Sequence, residues 1–304
     1  MRILVVGGSG VLGRRTLPRL LAAGHQVTAV ARRPESAAHL RSAGVEPIAL
    51  DVFDAGAATV AAKGMDAVVN IATRIPSPPA AARLAAWRDN DRLRRDASRA
   101  LAEAAVATGA RFIQESFAPT YRDNAAEWIR EGQPLDPVAQ TRTVPDAEAS
   151  ADHVTASGGT GVVLRFGLFY DSGSADMRRW LDAAAKGVLM LPGPGDRYSS
   201  MIYVDDAASA VVAALDLPAG RYNVVEDEPL TRTEHAQVLA GLLDRSRIRP
   251  LPAAAARLPV LQALARSHRI SNAKLRTAIG WTPTAPSVRE GWKMVLADIA
   301  SERP

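Results

Sequence analysis

The 304-residue chain has no cysteine, so it offers no disulfide, no thiolate metal ligand and no cysteine nucleophile. No apolar run approaches the roughly 18 residues of a membrane-spanning helix. The opening MRILVVGGSG breaks into glycines after a short apolar stretch, too soon for a secretory signal. A cytoplasmic protein with no membrane partner is the expectation. Aromatic residues are scarce, 5% of the chain, and are not interleaved with basic ones. That argues against a nucleic-acid partner despite a net charge of +5. The surplus is mostly arginine scattered along the chain, and an anionic small ligand accounts for it better. His25, His39, His153, His235 and His268 show no metal-ligand spacing, so no metal site is expected.

What the chain does have is a strand–helix rhythm over its first ~115 residues, the pattern of a parallel sheet. Arg2–Val6 is an apolar run ending in glycines, hence a buried strand. Val11–Ala23 carries a leucine stripe and is closed by Gly24, a helix. Strands follow at Gln26–Ala31, Val45–Leu50, Asp66–Ile71, Arg111–Glu115 and Gly161–Phe169, with helices at Glu35–Ser42, Asp54–Lys63 and about Ala81 to Thr108 between them. Proline-rich Arg74–Pro79 reads as a loop over a strand end. Thr143–Ser157 reads as a helix with Thr143 and Asp146 as a capping box. Later come a helix at Asp205–Leu215, capped by Asp206, and a strand at Arg221–Val225. Beyond Thr231 the chain is mainly helical and punctuated by proline. The expected architecture is a doubly wound α/β sheet of Rossmann type over 1–170, with 200–226 returning to it. A smaller, mainly helical substrate region is expected over 171–199 and 227–304.

The sharpest motif is Gly7-Gly8-Ser9-Gly10-Val11-Leu12-Gly13, at the junction of the first strand and first helix. A dinucleotide fold needs a tight turn there, a backbone that approaches a pyrophosphate, and helix N–H groups aimed at the anion. Gly7, Gly10, Val11, Leu12 and Gly13 are the residues expected to form that cradle. The second strand runs into Ala31-Arg32-Arg33-Pro34 with no acid before Glu35. A carboxylate there would suit a ribose 2′-hydroxyl; Arg32 and Arg33 suit a 2′-phosphate, which points to NADP(H) over NAD(H). Arg14 adds a nearby cation.

Together these residues resemble the extended and atypical branches of the short-chain dehydrogenase/reductase superfamily, which include epimerases and dehydratases. The likeness spans nearly the whole chain. VVGGSGVLGR resembles the family's opening motif. Leu50-Asp51-Val52 resembles the segment that contacts adenine, implying roles for Asp51 and Val52. Asn70-Ile71-Ala72-Thr73 resembles the ribose-lining strand end, implying Ala72 and Thr73. RFIQES (111–116) resembles the strand end beside the nicotinamide, and VVLRFGLFY (162–170) the next strand. Tyr203–Ala208, Tyr222-Asn223-Val224 and Ile279–Pro283 with Ser287–Trp292 resemble later segments of the family.

The departure is at the catalytic centre. The family's Tyr-x-x-x-Lys pair passes a proton during hydride transfer, and no such pair exists here. Registered on Ala151–Val154, the tyrosine position falls on Val144 and the lysine position on Glu148. The Ser/Thr partner position falls on Phe117, or on Ser116 with a shift of one. Tyr121, Glu115 and Ser116 are the remaining candidates near the nicotinamide, with Arg74 and Asn90 on loops able to reach over the cleft. Tyr121 reads as a proton donor or an aromatic lid. Glu115 reads as an acid or base, or as the ion-pair partner of Arg111 or Arg165. Glu148 reads as part of the same site or as a helix-surface charge. Three functions fit: an NADP(H)-dependent oxidoreductase for a small carbonyl or hydroxyl metabolite with a non-standard proton donor; a redox-neutral epimerase, dehydratase or cyclase that keeps its nucleotide; and a non-catalytic NADP(H) sensor. The substrate is a small molecule, with specificity expected in 74–80, 118–142 and 171–200. Oligomeric state, a homodimer included, stays open.

Overall fold

The computed structural model describes residues 1–77 and 79–301; Pro78, within the loop expected at Arg74–Pro79, lies outside them. Seven parallel strands form the central sheet: β1 (Arg2–Val6), β2 (Gln26–Val30), β3 (Glu46–Ile48), β4 (Ala67–Asn70), β5 (Arg111–Phe117), β6 (Gly161–Phe166) and β7 (Gly220–Val224). Their order is β7-β6-β5-β4-β1-β2-β3, a Rossmann-like α/β fold whose winding reverses between β1 and β4. Ligands of such sheets bind over the carboxyl ends of the strands at that reversal.

Both faces are covered, which is why the strands are near-continuous apolar runs. On one face α1 (Val11–Ala22) and the Val204–Ala213 helix bury Leu12, Leu17, Leu20, Ala207 and Val211 against Ile3, Val5 and Ile113. The other face takes α3 (Ala55–Ala62), α4 (88–108) and α5 (Val144–Ala156), which bury Ala58, Leu101, Ala105 and Val154 against Leu4, Val68 and Phe112. α2 (Pro34–Ser42) flanks the β3 edge and buries Leu40 alone. Here α4 denotes three abutting stretches, Arg88–Arg92, Leu93–Ala97 and Ser98–Thr108, the middle one a π-turn.

Four sequence expectations are corrected. The helix expected from Ala81 begins at Arg88, after two 3₁₀ turns at Ala80–Ala82 and Leu84–Trp87. Arg83 between those turns is extended, and the Trp87 indole N–H donates to the Ala81 carbonyl at 2.9 Å. The strand expected through Phe169 breaks at Gly167, where a Cβ would lie 2.8 Å from the Ser200 carbonyl oxygen. Leu168–Tyr170 then pairs with Met201–Tyr203 instead. Thr143 forms no capping box; its hydroxyl donates to Asp91 Oδ1 at 3.1 Å. Asp206 does not cap the helix in which it lies. Its carboxylate accepts from Thr284 N–H (2.8 Å), Thr284 Oγ1 (2.6 Å) and Ala285 N–H (2.9 Å), fastening the C-terminal segment to the sheet layer.

The C-terminal region also grips the segment after β5. Arg232, fully buried, donates from Nη2 to the carbonyls of Leu264 (2.9 Å) and Arg266 (2.8 Å). Arg266 in turn reaches Asp136 Oδ2 at 2.7 Å, and Ser267 N–H donates to Asp123 Oδ2 at 3.0 Å. His268 sits in the same seam, with Nε2 2.9 Å from the Tyr121 carbonyl oxygen. Burial pushes the His268 imidazole down to about 4. An imidazole kept neutral in the fold but free to protonate near 6.5 when unfolded adds stability above that pH and loses it as pH falls toward 4.

Asp206→Ala removes three hydrogen bonds to a buried carboxylate and leaves two backbone N–H groups without partners. The expected loss is about 2–4 kcal/mol in urea unfolding; a loss under ~0.5 kcal/mol would show that the C-terminal segment is fastened elsewhere. For His268, urea midpoints of the wild type should fall relative to those of His268→Gln between pH 6.5 and 4. Parallel curves would show that the imidazole is not held neutral.

Candidate cofactor cleft and rebuilt catalytic centre

The glycine turn lies against the reversal point. Gly7 has φ +98°, in the left-handed region, and a Cβ there would sit 2.7 Å from the Ile71 carbonyl and Ala72 nitrogen. A Cβ at Gly13 would sit 2.3 Å from the Gly7 carbonyl oxygen. These two glycines therefore let β1, α1 and the end of β4 meet without side chains between them. Gly10 is the N-cap of α1 and supplies no side-chain hydrogen bond. The N–H groups of Val11, Leu12 and Gly13 have no intrahelical acceptor by position, and Val11 at the crest is 47% exposed. An uncapped helix start with its dipole facing open space fits a diphosphate.

Around this turn the sequence candidates take their places. Arg32 and Arg33 are exposed at the end of β2, and neither has a carboxylate partner among the described residues. Asp51 is exposed just past β3, with Oδ1 accepting from Phe53 N–H at 3.1 Å, and Val52 is buried behind it. The Arg92 guanidinium stacks on the Phe53 ring, 3.6 Å from its centroid. Ala72 and Thr73 continue β4 across the reversal from the turn, half-buried and exposed respectively. Asn90 anchors the following loop, accepting from Arg74 N–H at 2.9 Å, while the Arg74 side chain pairs with exposed Asp89 at 3.1 Å.

The proton-donor candidates are distributed differently from expectation. Tyr121 is fully buried; its hydroxyl donates to Asn223 Oδ1 (2.8 Å) and accepts from Arg165 Nη1 (2.6 Å). Burial pushes the phenol up to about 12, against the opposing pull of Arg165. Neither the donor role nor the lid role fits a hydroxyl enclosed in this way. Ser116 is likewise buried and donates to Glu148 Oε1 at 2.6 Å, turned toward α5. Glu148, which the sequence resemblance registers on a lysine position, is buried and is no surface charge. It takes Arg165 side-on, Nε to Oε1 at 2.7 Å and Nη2 to Oε2 at 2.6 Å, with Arg221 Nε at 3.2 Å from Oε2. Burial opposes its ionisation, but Arg165 and Ser116 together hold the carboxyl below its usual range. Val144, at the tyrosine position, is buried. A cavity of about 350 Å³ opens beside α5, lined in part by Glu148, Asp152, Arg165 and Arg221, with no residue of the glycine turn in its wall.

Glu115 pairs with neither Arg111 nor Arg165. Its partner is Arg94 of α4, Nη2 to Oε1 at 3.0 Å, a contact that sequence reasoning missed. Three arginines crowd Asp91-Arg92-Leu93-Arg94-Arg95, and no spacing rule says which one turns inward; Arg92 and Arg95 are exposed, Arg94 buried. A second missed cluster links Asn70 Nδ2 to Gln114 Oε1 (2.9 Å) and to Ser98 Oγ (3.1 Å), joining β4, β5 and α4 below the cleft.

Comparison with known proteins agrees with this geometry. Residues 7–218 match the NAD(P)H-binding family. Over 314 aligned residues, 96% of this chain and 99% of the other, the chain is 34% identical to a 3-diazoavenalumate denitrifying reductase from a Streptomyces species. The human epimerase family protein SDR39U1, solved with NADPH, superposes with a TM-score of 0.80 at 23% identity, covering 98% of this chain and 100% of that one. A dTDP-glucose 4,6-dehydratase from Streptomyces venezuelae, solved with NAD, superposes with a TM-score of 0.79 at 19% identity, covering 100% and 98%. No helix among the described residues is long and apolar enough to cross a membrane. With residues 7–218 matched and a glycine turn at the sheet's reversal point, the chain belongs to the NAD(P)H-binding family.

Proposed function

We propose that the protein is an NADP(H)-dependent reductase whose electrophilic substrate needs no protein acid. The observation that carries this reading is the fate of the two positions that hold the family's proton relay. Val144 has no proton to give, and the Glu148 carboxylate is closed against Arg165 and Ser116. A carbonyl must gain a proton as it gains hydride, which is what the tyrosine serves. A cationic electrophile has no such requirement. The relative with a diazo acid in its name shares 34% identity over nearly the full length of both chains. It supports a diazo acid as the substrate class.

The cradle of Gly7, Gly10, Val11, Leu12 and Gly13 would hold the diphosphate, and Arg32 with Arg33 the 2′-phosphate through charge-assisted contacts. Asp51 and Val52 would flank the adenosine, and Ala72 and Thr73 would line the other half. Residues 171–199 and 227–304 would form the substrate side. When bound, the reduced nicotinamide supplies one hydride, the hydrogen and two electrons that exchange a carbon–diazonium bond for carbon–hydrogen with loss of dinitrogen. The chain's part is to orient the two reactants and to keep water from the diazo carbon.

Two measurements check this reading. Arg32→Ala/Arg33→Ala should weaken NADPH binding about ten-fold or more, from the loss of charge-assisted hydrogen bonds, while leaving NADH binding as it is. Equal losses for both would remove the 2′-phosphate assignment. In turnover, a diazo acid such as 3-diazoavenalumate should consume NADPH mole for mole with dinitrogen release, while aldehydes and ketones do not turn over. Saturable carbonyl reduction, or copurified nucleotide with no net consumption, would refute the diazo reading.

A further inference from the structure

The two buried arginine–glutamate pairs near the end of β5 differ in one respect. Arg165–Glu148 is complete, with both nitrogens of one guanidinium edge bonded to the two carboxylate oxygens. Arg94–Glu115 is half made. Only Nη2 and Oε1 meet, at 3.0 Å, while Arg94 Nε and Glu115 Oε2 are buried without any partner among the described residues. Their side chains are 4% and 9% exposed. Leaving a charged donor and a charged acceptor unsatisfied in a low-dielectric site is costly. Arg94 also lies within the π-turn Leu93–Ala97, a helix irregularity that recurs at functional sites.

Location narrows what would complete the pair. β5 lies beside β4 with Gln114 opposite Asn70, so Glu115 follows in line with the Ile71–Ala72 segment on which Gly7 packs. Neighbouring strands are about 4.8 Å apart, which puts β5 roughly 10 Å from β1 by that spacing. Arg32, Arg33 and Asp51 occupy the opposite side of the reversal. Beyond the diphosphate on the β5 side, the first group of a dinucleotide is the ribose that carries the nicotinamide. Its two adjacent hydroxyls offer a hydrogen for Glu115 Oε2 and an oxygen for Arg94 Nε–H. Carboxylates take ribose hydroxyls in this manner at the adenosine end of dinucleotide folds.

We propose that Arg94 and Glu115 together hold the nicotinamide-side ribose by its diol. The assignment rests on the nucleotide-binding reading above and adds a subsite to it. Calorimetry on the full chain with three probes tests it: NADPH, 2′-phospho-ADP-ribose (which keeps that ribose but lacks nicotinamide), and adenosine 2′,5′-bisphosphate (which lacks both). Glu115→Gln should weaken NADPH and 2′-phospho-ADP-ribose alike, by about ten-fold, and leave adenosine 2′,5′-bisphosphate unchanged. Should Glu115→Gln melt early, Arg94→Met/Glu115→Leu, which buries no charge, replaces it in the same comparison. A loss for NADPH but not for 2′-phospho-ADP-ribose would assign the pair to the carboxamide and overturn the proposal. So would equal losses for all three probes, or none. A wild-type chain that binds none of the three would bring down the nucleotide-binding reading itself, whereas normal wild-type binding with an indifferent variant sinks only the ribose subsite.

Discussion

The ion pair between Glu148 and Arg165 is the constraint around which the carboxyl end of the sheet is built. Removing two charges from water costs several kcal/mol for each, and only good geometry with further hydrogen bonds recovers it. Here the contact is side-on, Ser116 supplies another donor to the carboxylate, and Tyr121 and the Glu131 carbonyl accept from the far side of the guanidinium. One pair thereby ties β5, β6, α5 and the loop that follows β5. The same closure takes up Glu148, the residue that the sequence resemblance registers on a lysine position: a carboxylate on α5 facing an arginine on β6.

The glycine turn differs from the region around Glu148. Gly7 and Gly13 are demanded by backbone contacts within the fold itself, since a Cβ at either would collide with main-chain atoms. The uncapped start of α1 and unpaired Arg32 and Arg33 are different in kind. Nothing within the described residues satisfies them, and on the reading proposed above the anionic groups of a dinucleotide would. The two halves of the cleft thus meet at Ala72, where the turn's backbone presses on the end of β4 and β5 begins the other half.

Much of this was legible in the sequence because it depends on local order. Apolar runs place six of the seven parallel strands within two residues, the strand from Gly161 ending three residues early, and the glycine spacing puts a tight turn at the β1–α1 junction. What escaped was every choice made by tertiary partners. Thr143 and Asp206 carry the residue types of helix caps, yet each bonds a distant element: Thr143 to Asp91, Asp206 to residues 284 and 285. Tyr121 stood beside the expected nicotinamide in sequence, but burial against Arg165 and Asn223 removed its hydroxyl from the cleft. Arg94 could not be told from Arg92 and Arg95, because a π-turn changes which side of the helix faces the sheet. Periodicity reads faces of regular helices; it has no purchase on an irregular one.

The closed Glu148–Arg165 pair also bears on the proposed reaction. Oxidising an alcohol requires a base to take the hydroxyl proton as hydride departs, and redox-neutral sugar chemistry begins with such a step. Glu148 is the acid in the lysine's place, but its carboxylate is held ionised by Arg165 and accepts from Ser116, so taking a proton would break the pair that organises β5 and β6. Tyr121 as a phenol held up near 12 gives or takes a proton poorly at neutral pH. Glu148 and Tyr121 are thus poorly placed to move protons. On the reading proposed above, hydride delivery to an electrophile that brings its own positive charge demands alignment alone.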